Sequence, residues 1–196
     1  MSEVGMQVSV DAGGNMIGRY AGVNSELPAI ATGSHIDTVP NAGHYDGAYG
    51  VLAALEVVRS IQENALQLNH PLVVIVFADE EGSMLGCKAI SGSVIQDPSY
   101  YSRADGMDIQ TCLSRIGGDW KQIDRAKGDF RDFAAFVELH IEQGPVLESA
   151  GIQIGVVEGI VGQRRYQISV RGSASHAGTT PMSMRQDALV AAAQVY

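Results

Sequence analysis

The sequence predicts an α/β protein with a mainly parallel sheet and flanking helices. An apolar run at 29–32 is followed by a helical pattern at 49–61 and then by a β-branched run at 72–77, which together predict a strand, a helix and a parallel strand. The run at 72–77 has no polar alternation, which is typical of a strand buried on both faces of a parallel sheet. A further apolar stretch at 133–139 predicts a third strand of the same sheet.

The remaining elements of the first region follow in chain order. Residues 6–10 alternate, turn-forming residues follow at 11–15, and an extended pattern resumes at 16–20, so the chain is predicted to begin with a β-hairpin. Between 84 and 131 only short helical patterns occur, at 85–92 and 108–116. The helix at 49–61 is predicted from five apolar residues at helical spacing: Val51, Leu52, Leu55, Val58 and Ile61.

A change in pattern after residue 151 predicts a second region. Residues 165–172 alternate as a half-exposed strand does, and a helix is predicted to begin at Thr180 and Pro181. We place the boundary between 160 and 163, so the predicted domains are 1–160 and 161–196.

Composition excludes several classes of function. The 196 residues have a formal net charge of −9, which disfavours nucleic acid and anionic membranes as partners. No apolar run approaches the ~20 residues that span a bilayer, and no signal-peptide pattern opens the chain. The two cysteines lack paired spacing, which suits a reducing compartment. We expect a cytoplasmic protein that binds a small molecule or another protein.

Histidine or acidic residues follow each strand of the predicted parallel sheet. Because the carboxyl ends of such strands meet at one edge, we expect these residues to share a site. Mixed imidazole and carboxylate ligands suit zinc, cobalt or manganese better than calcium or magnesium. Four residues have this chemistry: His35, Asp46, Glu81 and His140.

Neighbouring residues suggest how such a site would work. A carboxylate such as Asp46 can bridge two metals about 3.5–4 Å apart, and such a pair activates water. Asp37 is placed to accept the second N–H of His35. Of the adjacent Glu80 and Glu81, one can bind metal while the other serves as general base.

Each of these residues also has a structural interpretation. A single histidine after a strand is more often a hydrogen-bonded structural residue, adjacent glutamates are more often solvated, and Asp46-Gly47 alone would be a turn. The convergence of three strand ends favours a metal site. The pattern does not by itself name a reaction.

Six ordered motifs support a more specific interpretation: GSHIDTVP (33–40), DG (46–47), DEEGS (79–83), ELHIEQGPVLE (138–148), GQRRY (162–166) and SHAGTTPM (175–182). Together they resemble the M20-type metal-dependent amidases of the hydantoinase/carbamoylase group. This group includes N-carbamoyl-L-amino acid hydrolase, allantoate amidohydrolase and β-ureidopropionase. The resemblance covers essentially the whole chain. With a histidine at position 140 the chain resembles the amidases of this superfamily more than its peptidases, because the peptidases usually have a carboxylate at this position.

The resemblance implies a zinc-exopeptidase-like catalytic domain at 1–160 and the beginning of an α+β lid and dimerisation domain at 161–196. It also implies a homodimer and two divalent metal ions, of zinc, manganese or cobalt. In that centre Asp46 bridges, His35 and His140 complete one metal, and Glu81 binds the other.

Further roles are implied by the same resemblance. Glu80 would be the base that takes a proton from the metal-bridging water, and Asp37 would be an orienting acid. His176 is similar to a lid histidine that reaches the active site across a dimer, and Arg165 to a lid arginine that holds the substrate carboxylate. Gln143 is a further candidate for substrate binding.

Members of this family are much longer than this chain and contribute a last histidine ligand after the lid. The resemblance therefore implies a chain truncated at both ends, with a protein ligand missing from the Glu81 metal. We expect an amidohydrolase that cleaves a linear C–N bond of an N-carbamoyl amino acid or allantoate. Two alternatives stay open: an inactive truncated remnant of such an enzyme, and an M20-type metallopeptidase.

Overall fold

The structure is a computed structural model that describes residues 1–101 and 106–195. By its internal contacts the chain divides into two units, Met1–Gly151 and Ile152–Tyr196. This division lies earlier in the chain than the boundary predicted at 160–163. The assignment of a catalytic domain and a lid domain stays a prediction.

The first unit contains a five-stranded mixed sheet. In chain order its strands are β1 (Gln7–Val10), β2 (Met16–Tyr20), β3 (Ala29–His35), β4 (Leu72–Phe77) and β5 (Phe133–Val137). Their spatial order is β1-β2-β4-β3-β5. Strand β3 is parallel to both β4 and β5, whereas the β1–β2 hairpin is antiparallel and pairs antiparallel with β4. The predicted α/β fold is confirmed, and the hairpin makes the sheet mixed.

Helices flank this sheet and connect its strands. They are α1 (Ala48–Glu63), α2 (Leu85–Ser91), α3 (Ile109–Arg115) and α4 (Val146–Ala150), with short 3-10 helices at Ser2–Val4, Pro98–Tyr101, Trp120–Ala126 and Phe130–Asp132. Helix α1 joins β3 to β4, which confirms the predicted parallel unit. No helix in the two described ranges is long and apolar enough to cross a membrane.

The predicted apolar stripe of α1 is correct except at one position. Val51, Val58 and Ile61 are buried, as expected. Leu52, however, is 62% exposed, and Ala54 is buried in its place. The buried positions 51, 54, 58 and 61 are three or four residues apart, so they lie on one side of the helix. Residue 52 is turned about 100° around the helix axis from residue 51 and therefore lies away from that side.

Both faces of β4 are covered. Leu72 and Val74 belong to a core that includes residues of α1, while Val73 and Ile75 belong to a second cluster with residues of β3. This burial explains the uninterrupted apolar run in the sequence. A third cluster joins α2 and α3 to the 3-10 helix Trp120–Ala126.

Strand β5 forms one edge of the sheet and is largely exposed. The exposed fractions of Phe136 and Val137 are 46% and 64%. An exposed apolar edge strand favours pairing with another chain. Oligomerisation therefore stays a prediction.

The second unit differs from its prediction in two places. The strand predicted at 165–172 does not form, and among residues 152–195 the one bridge pairs Ser173 with Gln186. An alternating pattern forms a strand only when a neighbouring strand accepts and donates its backbone hydrogen bonds, and here it has none.

The helix of this unit also begins later than predicted. Only a 3-10 turn, Met182–Met184, follows Pro181, and the helix α5 spans Ala188–Ala193. The Asp187 carboxylate accepts hydrogen bonds from the backbone N–H groups of Leu189 and Val190. Asp187 is therefore the N-cap, because its side chain satisfies N–H groups that have no partner within the helix.

Candidate metal centre

Three loops meet at the carboxyl edge of the parallel strands. His35 is the last residue of β3 and pairs in register with Phe77, the last residue of β4. The acidic loop, defined here as residues 78–86 and therefore including the first two residues of α2, follows β4 directly. The segment that contains His140 follows β5. The parallel pairing therefore brings the three predicted sources of ligands to one edge.

His35 has one nitrogen fixed by the backbone and the other directed to the site. Its side chain is buried, with 4% of the residue exposed. The Nδ1 atom lies 2.9 Å from the carbonyl oxygen of Asp37. Because a carbonyl only accepts hydrogen bonds, Nδ1 carries the proton and Nε2 is left as a ligand atom. Nε2 lies 3.5 Å from Oε2 of Glu80.

Asp37 orients His35 through its carbonyl oxygen rather than through its carboxylate, which lies 3.8 Å from Nδ1. Its Oδ2 atom accepts a hydrogen bond of 3.0 Å from the backbone N–H of Glu81. Its Oδ1 atom is buried and has no hydrogen-bond partner among the described residues. A buried carboxylate oxygen without a partner is unfavourable, and a bound cation nearby would offset that cost.

Asp46 and His140 form the other side of the centre. His140 Nε2 lies 3.5 Å from Oδ1 of Asp46, and its Nδ1 lies 2.9 Å from the carbonyl oxygen of Ile141. His140 therefore has the same tautomer as His35, and the two ring centroids are 6.0 Å apart. Gln143 Nε2 donates to both oxygens of Asp46, at 3.0 and 3.2 Å. In this structure Gln143 thus contacts a candidate ligand, and its role in substrate binding stays a prediction.

The ligand atoms fall into two groups that could each hold a metal ion. One group contains His35, Asp46 and His140, and the other contains His35, Glu80 and Glu81. Within each group the ligand atoms lie within 4.8 Å of one another. Nitrogen and carboxylate donors in these numbers fit zinc, manganese or cobalt. His35 is the one residue that both groups share.

The electrostatics of the centre single out Glu80. Burial raises the pKa of its carboxyl group, the nearby His35 opposes this rise, and the charges of Glu81, Asp37 and Glu138 add to it. A carboxylate with a raised pKa is a better proton acceptor near neutral pH. Glu80 is therefore the candidate proton acceptor of the centre.

The second unit holds the two predicted lid residues. His176 Nδ1 accepts hydrogen bonds from the backbone N–H groups of Gly178 and Thr179, both at 3.1 Å. Its proton is therefore on Nε2, which can donate to a ligand. Arg165 is exposed, and its Nη2 donates to the side chain of Gln163 at 3.4 Å. Their roles in substrate binding stay predictions.

Two residues that support the ligands, Ser34 and Gly47, are not among the predicted site residues. Ser34 is fully buried, and its hydroxyl donates to Oε1 of Glu138 at 2.6 Å, which joins the end of β3 to the segment after β5. Gly47 has a φ of 64°, and a Cβ there would lie 2.4 Å from the His35 ring. A glycine directly after a candidate ligand was the available signal for this close approach.

The acidic residues of the centre act on the thiol of Cys87, and we expect this thiol to react slowly with alkylating reagents. Burial raises the pKa of this thiol to about 11, with further contributions from Glu80 and Glu138. At pH 8 we expect the folded Cys112→Ser variant to react with iodoacetamide roughly tenfold or more slowly than a free thiol, since its thiolate fraction is small. In guanidinium the rate should match the free thiol. Equal rates in both states would contradict the prediction.

The chain is similar to known proteins of one family. A model of the peptidase family M20/M25/M40 matches residues 31–196. The chain is 45% identical over 199 residues to an N-carbamoyl-L-amino-acid amidohydrolase of Paenarthrobacter aurescens, covering 98% of this chain and 48% of that protein. It is 39% identical over 206 residues to an allantoate amidohydrolase of Bacillus subtilis, covering 100% of this chain and 48% of that protein.

A solved structure agrees with these relatives. The crystal structure of a hydantoinase/carbamoylase family amidase from Burkholderia ambifaria matches with a TM-score of 0.77 and 38% identity, over 98% of this chain and 47% of that one. The chain spans about half the length of the curated relatives it matches. The resemblance inferred from the six sequence motifs is confirmed. The chain belongs to the peptidase family M20/M25/M40 and is similar to the hydantoinase/carbamoylase amidases.

Proposed function

We propose that this chain provides the metal-binding part of an amidohydrolase that cleaves a linear C–N bond of a small carbamoyl or ureido compound. The observation that supports this most directly is the pair of ligand groups that share His35, with Glu80 3.5 Å from its Nε2. The names of the relatives support the substrate class. In this proposal residues 1–160 are catalytic, and 161–196 begin a lid and dimerisation domain of a homodimer.

We propose that two divalent ions of zinc, manganese or cobalt occupy this centre. His35 and His140 would hold one ion and Glu81 the other, with Asp46 bridging. Such a pair of ions supplies activated water at neutral pH and polarises the carbonyl group that is attacked. The two histidines are prepared for this role because each has its Nδ1 bonded to a carbonyl oxygen.

Glu80 is the proposed proton acceptor. Its carboxylate would take a proton from the water that attacks the carbamoyl or ureido carbon, and would pass that proton to the leaving nitrogen as the C–N bond breaks. A raised pKa favours both transfers, because a carboxyl group whose pKa is closer to the working pH both accepts and releases a proton readily. Asp37 keeps the imidazole of His35 in the required tautomer through its carbonyl oxygen.

Two exposed residues of the second unit are the proposed substrate ligands. The guanidinium of Arg165 would pair with a substrate carboxylate, which a planar fork of donors suits. His176 would donate from Nε2 to the oxygen on which charge develops, since its Nδ1 is already occupied as an acceptor. Gln143 is a further candidate, and it already contacts Asp46.

The proposal is tested by assaying the 196-residue chain, loaded with Zn²⁺, Mn²⁺ or Co²⁺, on three substrates. We expect ammonia release from an N-carbamoyl amino acid or allantoate, and a much slower release of free amino acids from a dipeptide. Glu80→Gln should lower the rate 10²–10⁴-fold or so, because it removes the proton acceptor but keeps the shape. Glu63→Gln, an exposed change at the end of α1, is the control.

Other outcomes would favour the alternatives. Preferential cleavage of the dipeptide would favour a metallopeptidase of the same family. Full metal binding with no hydrolysis of any substrate would favour the inactive remnant, which the relatives, named as amidohydrolases, do not support. An unchanged rate in Glu80→Gln would exclude Glu80 as the base.

A further inference from the structure

Asn15, in the turn between β1 and β2, is fully buried although its side chain is polar. Its amide oxygen accepts a hydrogen bond of 3.0 Å from the backbone N–H of Ala78. Its amide nitrogen donates to the carbonyl oxygen of Gly86 at 3.1 Å and to Oδ2 of Asp11 at 2.8 Å. A turn residue with these partners is unusual, because turn asparagines mostly bond to their own backbone.

The partners leave one orientation of this amide. The N–H of Ala78 can only donate, so it must face the oxygen, and the carbonyl of Gly86 can only accept, so it must face the nitrogen. Asp11 holds the amide in place from both ends, since its Oδ1 also accepts from the backbone N–H of Asn15 at 2.9 Å. Asp11 is itself half-buried, so this anchor is part of the packed structure.

The two backbone groups that Asn15 contacts are the ends of the acidic loop, residues 78–86. These ends are also joined directly, because the N–H of Gly86 donates to the carbonyl oxygen of Ala78 at 2.9 Å. Asn15 therefore completes a closed ring of hydrogen bonds at the base of the loop. The fit is tight, because a Cβ on Gly86 would lie 2.1 Å from the Asn15 amide oxygen.

Further hydrogen bonds hold the backbone of the loop on either side of the two glutamates. Asp79 has a positive φ of 52°, and its Oδ2 accepts from the backbone N–H of Ser83 at 3.0 Å. The N–H of Met84 donates to the carbonyl of Asp79 at 2.8 Å, and the N–H of Glu81 donates to Asp37 at 3.0 Å. Because the loop spans only residues 78–86, we expect a change at its base to displace Glu80 and Glu81.

We propose that Asn15 is a positioning residue that sets Glu80 and Glu81 against His35 by closing the base of the acidic loop. This inference rests on the proposed function. It concerns one ligand group only, because neither Asp46 nor His140 belongs to the loop. Loss of the amide should therefore affect the His35, Glu80 and Glu81 group and spare the His35, Asp46 and His140 group.

The test is Co²⁺ titration of the 196-residue chain, followed by calorimetry and by the visible absorption of bound Co²⁺, in the wild type and in Asn15→Leu. We expect the wild type to bind two equivalents. Asn15→Leu should bind one of them normally and the other roughly tenfold to hundredfold more weakly, which is the usual effect of losing a group that supports a ligand. Asn15→Ser, which leaves room for water, replaces Asn15→Leu if the latter does not fold.

Val58→Ala is the matched control. Val58 is fully buried on α1, in a core cluster that excludes the acidic loop, so its truncation lowers stability without touching the loop. It should bind both equivalents as the wild type does. Normal binding of both equivalents by Asn15→Leu would overturn the inference. The inference would also be overturned if Asn15→Leu and Val58→Ala weakened the binding of both equivalents to the same extent.

Amide hydrogen exchange separates this inference from the proposed function. If the wild type binds no Co²⁺, the proposed function fails, and exchange still tests the loop. We expect the amides of Ala78, Ser83 and Met84 to exchange at least tenfold faster in Asn15→Leu, relative to the amides of β3, and not in Val58→Ala. Unchanged exchange of these three amides would overturn the role of Asn15.

Discussion

Replacement of His35 by alanine is expected to remove one of the two metal equivalents from the chain. Because the Nδ1 atom of His35 donates to the carbonyl oxygen of Asp37, Nε2 is its single ligand atom and can bind one ion only. In the proposed centre that ion is the one held together with His140, and Glu81 would still hold the other ion. Metal content measured by elemental analysis after dialysis should fall from about two equivalents to about one.

Three further variants resolve the arrangement around His35. His140→Ala should remove one equivalent and Glu81→Ala the other, because each residue belongs to one group only. Asp46→Ala distinguishes two possibilities. If Asp46 bridges, as the resemblance implies, it should remove both equivalents, whereas a ligand of one group would remove one.

His70→Ala is the matched control for the histidine series. His70 also has its Nδ1 close to a backbone carbonyl, at 2.7 Å from the oxygen of Pro28, but it lies before β4 rather than after β3. Its replacement should leave metal content unchanged. The proposed arrangement would be contradicted if His35→Ala retained both equivalents or lost both.

Replacement of Gly33 by alanine is expected to have the largest effect on stability. Gly33 lies in the middle of β3, pairs in register with Ile75 of β4, and has a φ of 149°. A Cβ there would lie 1.9 Å from the carbonyl oxygen of Ile75. Because that oxygen belongs to a strand buried on both faces, it cannot move away, and the parallel pairing of β3 with β4 must be disrupted.

We expect Gly33→Ala to lower the free energy of unfolding by about 3 kcal/mol or more, the sum of backbone strain and steric overlap. Urea denaturation followed by circular dichroism measures this loss. The effect should reach the metal centre, because the same pairing places His35 beside the acidic loop. Metal affinity should therefore fall together with stability.

Gly43→Ala provides the comparison within the same region. A Cβ on Gly43 would meet no atom within 4 Å, and its φ is not in the positive range. We expect a change within about 0.5 kcal/mol. An unfolding midpoint of Gly33→Ala equal to that of Gly43→Ala would show that β3 accommodates the methyl group, and the predicted strain would be wrong.

Sequence patterns were sufficient where local order determines structure. The buried strand at Leu72–Phe77 and the helix at Ala48–Glu63 follow from hydrophobic periodicity, because burial selects the residue type at each position. Parallel pairing then places the strand ends at one edge. The predicted ligands His35, Asp46, Glu81 and His140 accordingly lie in two overlapping groups.

Sequence patterns were insufficient where a segment depends on a neighbour. The alternating residues 165–172 form no strand, because alternation describes which side chains could be buried and does not supply a partner strand. The helix of the second unit begins at Ala188, because the side chain of Asp187 reaches its first N–H groups while Thr180 does not. Leu52 is exposed for a related reason, since the core contacts only one stripe of α1.

The sequence by itself determined the α/β fold, the ligand types and the family of this chain, because these depend on residue chemistry and on its order along the strands. Only the tertiary structure decided how those ligands are held. It showed that the carbonyl of Asp37 fixes the tautomer of His35 and that Asn15 closes the acidic loop from another part of the sheet. The contacts of Asn15 join atoms 63 and 71 residues apart, and no local pattern encodes such distances.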